Sequence, residues 1–427
     1  MRQDSKRCGS DWRRRRSTPR RVLAGLLAVG AASLFALPLA VPARADVEQM
    51  RRDIETLASR DFEGRGIGTL GLDRAMSYLE GRCRETGLAP LGEKGFVQPF
   101  RGPDRSTLVN LIGVLGDTAA GNYVILGAHY DHLGLGEPGE PNFGKLHPGA
   151  DDNASGVAVL LECATRLREA EDLDHAVLFV LFSGEEEGLL GSAAYVAHPA
   201  LPLDRCVAMV NLDTVGRIEG GRLTVFGAGT ARELPRILRG INYGFGFTLQ
   251  LPEKDPGGSD QASFTRRGIS AVQIFSGANA DYHRPGDTAD KINYDGLDQV
   301  AGFTEELLLY LAGRDEPLSY IPPGAEALAA RAPAAGGTGR RVSFGSIPDF
   351  NDTGDGILLT GVIPESPAAK AGLREGDRIV TFGGVAVEDL RAFSDVLKSF
   401  APGDEVQAVF LRDGKRHEIT AVLVARQ

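Results

Sequence analysis

The 427-residue sequence predicts an α/β fold with a mostly parallel central sheet and helices on both faces, followed by a small β-rich domain. Three observations predict it. Apolar runs alternate with helical segments from Leu108 onward, a Pro/Ala/Gly-rich stretch breaks that pattern over residues 314–340, and short strands with an Asp413-Gly414 turn follow.

Residues 1–45 carry ten Lys or Arg against two acids, an apolar run from Val22 to Val41, and an Ala-x-Ala ending at Ala43 and Ala45. This is the pattern of an export signal cleaved after Ala45, so the expected location is periplasmic or extracellular. The run is also long enough for an uncleaved membrane anchor. The Ala-x-Ala ending favours cleavage, after which no stable membrane insertion is expected. Arg13 to Arg16 with Arg20 and Arg21 also permit twin-arginine export. The remainder has 37 basic against 55 acidic residues, a net charge of −18, which argues against nucleic acid as a partner. Cys83, Cys163 and Cys206 are an odd number with no CxxC spacing, so neither a disulfide framework nor a thiolate metal site is expected.

The first folded domain is expected over 46–313. VEQMRRDIETLAS and LDRAMSYLEGRCRETG read as amphipathic helices separated by the Gly-rich DFEGRGIGTLG. LVNLIGVL, YVILGA, AVLFVLF, CVAMVNL and AVQIF read as strands, with VAVLLECATRLREA as a crossover helix. The linker occupies 314–340. The last domain, 341–427, has strands at GILLTGVI, DRIVTFGG, EVQAVFLR and HEITAVLV and helical pieces at SPAAKAG and EDLRAFSDVLKSF.

In an open parallel sheet, side chains beyond the carboxyl ends of the strands converge on one crevice. YVILGA delivers His129, AVLFVLF delivers Glu185 and Glu186, CVAMVNL delivers Asp213, and the segment after AVQIF delivers His283. Asp152 lies in the Gly-flanked GADDNASG before the crossover helix. Imidazole and carboxylate without thiolate suit zinc or another divalent first-row metal with a position open to water. His129 and Asp131, two apart in an extended segment, project to one side, so Asp131 can fix the imidazole. Adjacent Glu185 and Glu186 cannot both bind one ion at equal geometry, so one ligates and the other accepts the proton of the attacking water. Each motif alone has an ordinary explanation; ADDNASG, for example, is also a good helix cap. Their order together is harder to explain away.

GAHYDHLG, GADDNASG, SGEEEGLLGS, NLDTVG and DYHRPGDT resemble, in order, the motifs of the di-zinc exopeptidase family that includes bacterial leucyl aminopeptidases and glutamate carboxypeptidases, over about residues 46–312. The resemblance implies a zinc exopeptidase (phosphorylase/hydrolase-like) fold and two Zn2+ ions, with Co2+ or Mn2+ as alternatives. Asp152 would bridge the ions, His129 and Asp213 would complete one site, and Glu186 and His283 the other. Three carboxylates against two divalent ions leave a net charge of about +1, which favours a bridging hydroxide as nucleophile. Glu185 is then the general base, Asp131 the partner of His129, and Tyr282 a stabiliser of the oxyanion. The family often has His after the Ser-Asp pair where GGSDQASF has Gln261, a departure that touches pocket shape and leaves the metals intact.

Residues 341–427 resemble a PDZ domain of the kind attached to bacterial exported proteases, on GVIPESPAAKAGLREGDRIVTFGGVAV. That resemblance implies that Ser343, Phe344, Gly345, Ser346 and Ile347 form the loop whose backbone amides hold a peptide's terminal carboxylate, the peptide adding as a strand. The expected function is an exported aminopeptidase acting on peptides with a free N-terminus, with a C-terminal peptide or partner at the PDZ domain. The alternatives are a carboxypeptidase, for which Arg217, Arg266, Arg267 and Arg284 would have to bind the terminal carboxylate, a glutaminyl cyclase on the same fold, or a peptide-binding adaptor on an inactive scaffold.

Overall fold

The computed structural model describes residues 45–102, 105–119, 121–136, 142, 144–169, 173–252, 255–277, 279–314, 316–322, 342–349, 355–388 and 390–425. The expected export signal up to residue 44 and most of the expected linker lie outside the described residues. Among the described residues no helix is long and apolar enough to cross a membrane.

The described residues open with helices α1 (Ala45–Leu57) and α2 (Leu70–Glu85), joined by a 3-10 turn at Arg60–Arg65. Thr69 caps α2 by accepting from Leu72 N. The strands are β1 (Ala89–Pro90), β2 (Val97–Arg101), β3 (Thr107–Leu115), β4 (Tyr123–His129), β5 (Ala176–Phe182), β6 (Cys206–Leu212), β7 (Arg222–Phe226), β8 (Thr248–Gln250) and β9 (Ala271–Phe275). Interleaved with them are α3 (Gly156–Glu169), α4 (Leu190–Ala197), α5 (Leu234–Phe245), α6 (Gln261–Thr265) and α7 (Tyr294–Ala312). The sheet order is β1-β3-β5-β4-β6-β9-β7-β8, with β2 also paired to β3.

Its centre is parallel: β5, β4, β6 and β9 run the same way, connected through α3, α4 and α6. The flanks are not. β3 runs antiparallel to both β2 and β5, and β7 antiparallel to β9. A connection as short as residues 102–106 between β2 and β3 can only close a hairpin, so the antiparallel sense of that pair follows from its length.

Period-2 alternation divides the central strands between two cores. Val124, Leu126 and Ala128 of β4 and Val177, Phe179 and Leu181 of β5 join the core built with α1, α2, α3 and α7. Their neighbours Tyr123, Ile125, Leu178, Val180 and Phe182 join a second core with Tyr195 of α4 and Phe264 by way of α6. Burial on both faces is why these strands read as unbroken apolar runs. At about 1.5–3 kcal/mol per fully buried large aliphatic or aromatic side chain, the two cores fix the register that carries the strand ends.

The last domain is a sheet in the order β11-β12-β13-β15-β16, with β14 beside β13 and a separate β10-β17 pair. These strands are β10 (Val342–Ser343), β11 (Ser346–Pro348), β12 (Ile357–Val362), β13 (Arg378–Phe382), β14 (Val385–Ala386), β15 (Glu405–Arg412), β16 (Lys415–Val422) and β17 (Val424–Ala425), with helices α8 (Pro367–Lys370) and α9 (Leu390–Lys398). Phe382 stacks edge-on against both Phe344 and Phe393 at its centre, with ring centroids 4.9 and 5.0 Å away. Asp413 and Gly414 both have positive φ (51° and 74°) between the paired Arg412 and Lys415, the left-handed conformation that a two-residue hairpin needs.

Candidate metal centre

β4 ends on His129, which lies opposite Phe182 in parallel register. The loop after β5 therefore rises just beyond the imidazole and carries Glu185 and Glu186. Asp213 follows β6 directly, its amide bonded to Ile274 O of β9. His283 stands in the turn after β9 at φ 57°.

Asp152 comes from the loop before α3, and buried partners hold that loop from several sides. The Asp287 carboxylate accepts the amides of Asp151 and Asp152 at 3.0 Å, and Asn153 Nδ2 donates to Leu212 O at 2.8 Å. The fully buried Arg65 guanidinium donates to the carbonyls of Leu57 (2.7 Å), Tyr130 (2.9 Å), Pro148 (2.8 Å) and Gly149 (2.8 Å). Gly149 has φ 60° and is packed so closely that a Cβ there would collide with Asp152 O and lie 2.6 Å from His132 Cδ2.

The result is a two-lobed cluster around one carboxylate. Asp152 Oδ1 is 3.4 Å from His129 Nε2, which is 3.5 Å from Asp213 Oδ1. Asp152 Oδ2 is 3.0 Å from His283 Nε2, which is 3.3 Å from Glu186 Oε2. The five expected ligands are thus brought together, with Asp152 between the lobes. Zinc bonds of about 2.0–2.1 Å in tetrahedral geometry imply donor–donor edges of roughly 3.3–3.4 Å, and the observed separations fall around that value. Asp152 Oδ1 is buried and has no hydrogen-bond partner, as a carboxylate oxygen reserved for a cation would be. The field agrees. Burial disfavours a charged His129, yet Glu185, Asp152 and Asp213 raise its pKa well above the ordinary imidazole value. Burial likewise pushes Asp152 up, but His132, His129 and His283 outweigh it and hold the carboxylate well below the usual range. The residues fit a pair of divalent cations.

Asp131 corrects one expected contact. His129 Nδ1 faces the backbone carbonyl of Asp131 at 3.2 Å, whereas the carboxylate lies 3.9 Å away. That carboxylate instead accepts the amides of Glu185 (3.2 Å) and Glu186 (3.4 Å), so one residue orients the imidazole and sets the height of the glutamate loop. Among the described residues no hydrogen bond engages the Glu185 carboxylate, and burial, reinforced by Glu186 and Asp213, lifts it well above the ordinary range against the pull of His129. Tyr282 is 37% exposed and its ring stacks on His283, with centroids 4.0 Å apart.

Gln261 is fully buried. Its Nε2 donates to Gln273 Oε1 at 3.0 Å, and Gln273 Nε2 donates to Asp213 Oδ2 at 3.2 Å. The residue expected to touch pocket shape is therefore tied to a metal-facing carboxylate. Behind it, burial pushes the Asp260 carboxyl up to about 7, with Asp131 and Asp213 adding and His129 opposing. Arg217 is neutralised by Asp281 (3.2 Å) and Asp287 (3.7 Å). Arg65, Asp287, Gln273 and His132, which adjoins Glu186, were not singled out from the sequence. Only His132 carries a local signal, since it stands three residues after His129 within HYDHLG.

Residues 110–308 match the model of peptidase family M28, and residues 348–423 match that of the PDZ domain. The chain is 27% identical over 296 residues to the uncharacterized protein YfbL of Escherichia coli, covering 62% of this chain and 88% of that one. It is 28% identical over 222 residues to the probable lipoprotein aminopeptidase LpqL of Mycobacterium tuberculosis, covering 44% and 42%. Apart from YfbL, the chain spans about half the length of the curated relatives it matches. The fold is shared with the solved zinc aminopeptidase BSAP of Bacillus subtilis at a TM-score of 0.51 and 19% identity, covering 65% of this chain and 98% of that one.

Proposed function

We propose, from the premise that this chain carries a family M28 peptidase domain followed by a PDZ domain, that it is an exported two-metal aminopeptidase removing N-terminal residues from peptides. The observation that carries the reading is the Asp152 carboxylate, which faces His129 and Asp213 with one oxygen and His283 and Glu186 with the other. Two zinc ions held there would supply Lewis-acid polarisation of the scissile carbonyl and lower the pKa of a water. Glu185, whose carboxylate has no hydrogen bond among the described residues, takes that water's proton and returns it to the leaving amine. Asp131 keeps Glu185 and Glu186 at the height where one serves the proton and the other the metal. Tyr282, stacked on His283, lends its hydroxyl to the developing oxyanion.

A site rich in carboxyl groups suits a substrate's free α-ammonium. Asp260 and Glu185 add carboxyl groups beyond the proposed ligand set, both raised by burial, and they serve the ammonium as hydrogen-bond acceptors. A carboxypeptidase would need an available cation, and one candidate, Arg217, is paired with two acids. In the PDZ domain β11 ends its sheet, pairing only with β12 among the described strands. A peptide tail adds there as a further strand, its carboxylate received by the backbone of Ser343–Ile347, where Phe344 is turned into the core. The signal-like first 45 residues support export.

Zinc-loaded protein assayed on aminoacyl chromophores, N-blocked peptides and peptides with varied C-termini tests this. Release from unblocked N-termini alone supports the reading. Cleavage confined to blocked peptides sinks it, as does cyclisation of N-terminal Gln without release of residues from other peptides.

A further inference from the structure

We infer that His132 is a positioning residue of the second metal subsite, one that commits Glu186 to bind through a single oxygen. The inference rests on the two-metal reading above. His132 is buried in the loop leaving β4, its amide bonded to Arg65 O and its ring against Gly149. Its Nδ1 lies 2.7 Å from Glu186 Oε1 and 3.9 Å from Asp152 Oδ2, and its ring meets that of His283 edge-on with centroids 5.8 Å apart. Two roles are open to an imidazole so placed: a further ligand of the ion, or a hydrogen-bond donor to a ligand.

Distance separates them. Donors that share a tetrahedral zinc stand roughly 3.3–3.4 Å apart, as His283 Nε2 and Glu186 Oε2 do at 3.3 Å. At 2.7 Å the His132–Glu186 pair has the length of a charge-assisted N–H···O⁻ bond. The carboxylate can only accept, so the proton sits on Nδ1, which removes that nitrogen as a ligand. Nε2 is buried without a hydrogen-bond partner, so the ring is held through Nδ1 and packing alone. Oε1 of Glu186 is thus occupied and Oε2 faces His283. Glu186 is kept from chelating through both oxygens, which leaves a coordination position for water or substrate. In the first lobe Gln273 does the same for Asp213, so each terminal carboxylate has one oxygen on the metal side and one on an amide or imidazole donor.

The test is a zinc titration of the metal-stripped full chain against a chromophoric chelator, for the parent protein, H132L and H132N, with apoprotein Tm measured alongside. Asn places its Nδ2 where the imidazole Nδ1 stood and keeps the donor; Leu fills the space without one. The expected result is two ions in the parent, a weaker step in H132L raised about 10–100-fold in Kd with the tighter step unchanged, and H132N within about threefold of the parent. Cobalt-loaded H132L should also show weaker visible absorption, as the second ion gains a carboxylate oxygen. Parent-like binding of both ions by H132L would overturn the inference. So would H132N failing as H132L does, which would mean that His132 is itself a ligand, or an equal loss at both steps with a lowered apoprotein Tm, which would mean packing. A parent that binds one ion sinks the two-metal reading and this inference with it.

Discussion

Gln273 donates to Asp213 Oδ2 across 3.2 Å while Asp213 Oδ1 faces His129 at 3.5 Å, so the carboxylate proposed as a metal ligand is held from behind by a side chain in the middle of β9. Gln261 fixes which end of the Gln273 amide points forward by donating to its Oε1. Replacing Gln273 with Leu removes the donor and takes from the Gln261 amide one of its two acceptors, leaving Asp255 Oδ1 at 3.2 Å. Q273L should weaken the ion in the His129–Asp213 lobe about 10-fold while sparing the other lobe, the reverse of H132L. Zinc competition titrations of the two variants side by side check it. Q273E, which places a like charge against Asp213, should lose more than Q273L.

Glu185→Gln should keep both ions and lose turnover by a factor on the order of 10²–10⁴, because the amide cannot take a proton while its backbone bond to Asp131 is untouched. Metal content and kcat measured on the same sample check this. Loss of zinc together with activity would make Glu185 a ligand. Asp131→Asn is expected to act differently, since one of its two acceptors of the Glu185 and Glu186 amides becomes an NH2 group. Its effect should fall on kcat and on the second ion's affinity together.

Arg65 is the buried cation on which the bridging loop hangs. Arg65→Met keeps most of the volume but leaves the carbonyls of Leu57, Tyr130, Pro148 and Gly149 without that donor, at about 1–3 kcal/mol for each acceptor that water cannot reach. The variant should unfold at a distinctly lower denaturant midpoint and bind zinc poorly even where folded. Gly149→Ala should do the same by another route, because its φ of 60° and the nearby Asp152 O and His132 Cδ2 leave no room for a Cβ. Denaturant melts of apo and zinc-loaded protein separate the two effects.

How much of this was legible in the sequence depends on whether a residue's chemistry is local. His129, Asp213 and Glu186 stand at the ends of unbroken apolar runs, and strand polarity sends them to one crevice, so pattern and composition sufficed. The separate jobs of Glu185 and Glu186 came from family resemblance, because adjacency alone leaves them interchangeable. Arg65, Asp287 and Gln273 were not legible, since each acts through a contact closed by the fold: Arg65 meets Gly149 across 84 positions and Asp287 meets Asp151 across 136. The sheet is mostly parallel as expected, but its short flanking strands β1, β2, β7 and β8, of two to five residues, have too little sequence to show a period, and the antiparallel sense of β3 carries no local signal. The Asp131 carboxylate lies 3.9 Å from His129 Nδ1, but the backbone carbonyl is nearer at 3.2 Å and the carboxylate is occupied by the amides of Glu185 and Glu186.

In the PDZ domain the fully buried Asp377 carboxylate takes hydrogen bonds from Arg412 Nε (2.6 Å), Arg412 Nη2 (2.7 Å) and the Arg374 amide (2.8 Å). Burial alone would raise its pKa, but these donors outweigh it and hold the carboxyl below the ordinary aspartate value. A depressed folded pKa means that the unfolded chain takes up the proton first as pH falls. The pair's stabilisation is therefore present above the unfolded value of about 3.9 and is lost as pH drops from there through the lower folded value. D377N removes this term, so it should lower stability by about 1–3 kcal/mol at neutral pH, as expected when charge-assisted hydrogen bonds to a partly exposed arginine are lost, and flatten the acid limb. Hydrogen exchange of peptides covering β12, β13 and β15 in the full chain, corrected for intrinsic exchange, reads this domain alone. Parallel acid limbs for parent and D377N would place the acid sensitivity elsewhere.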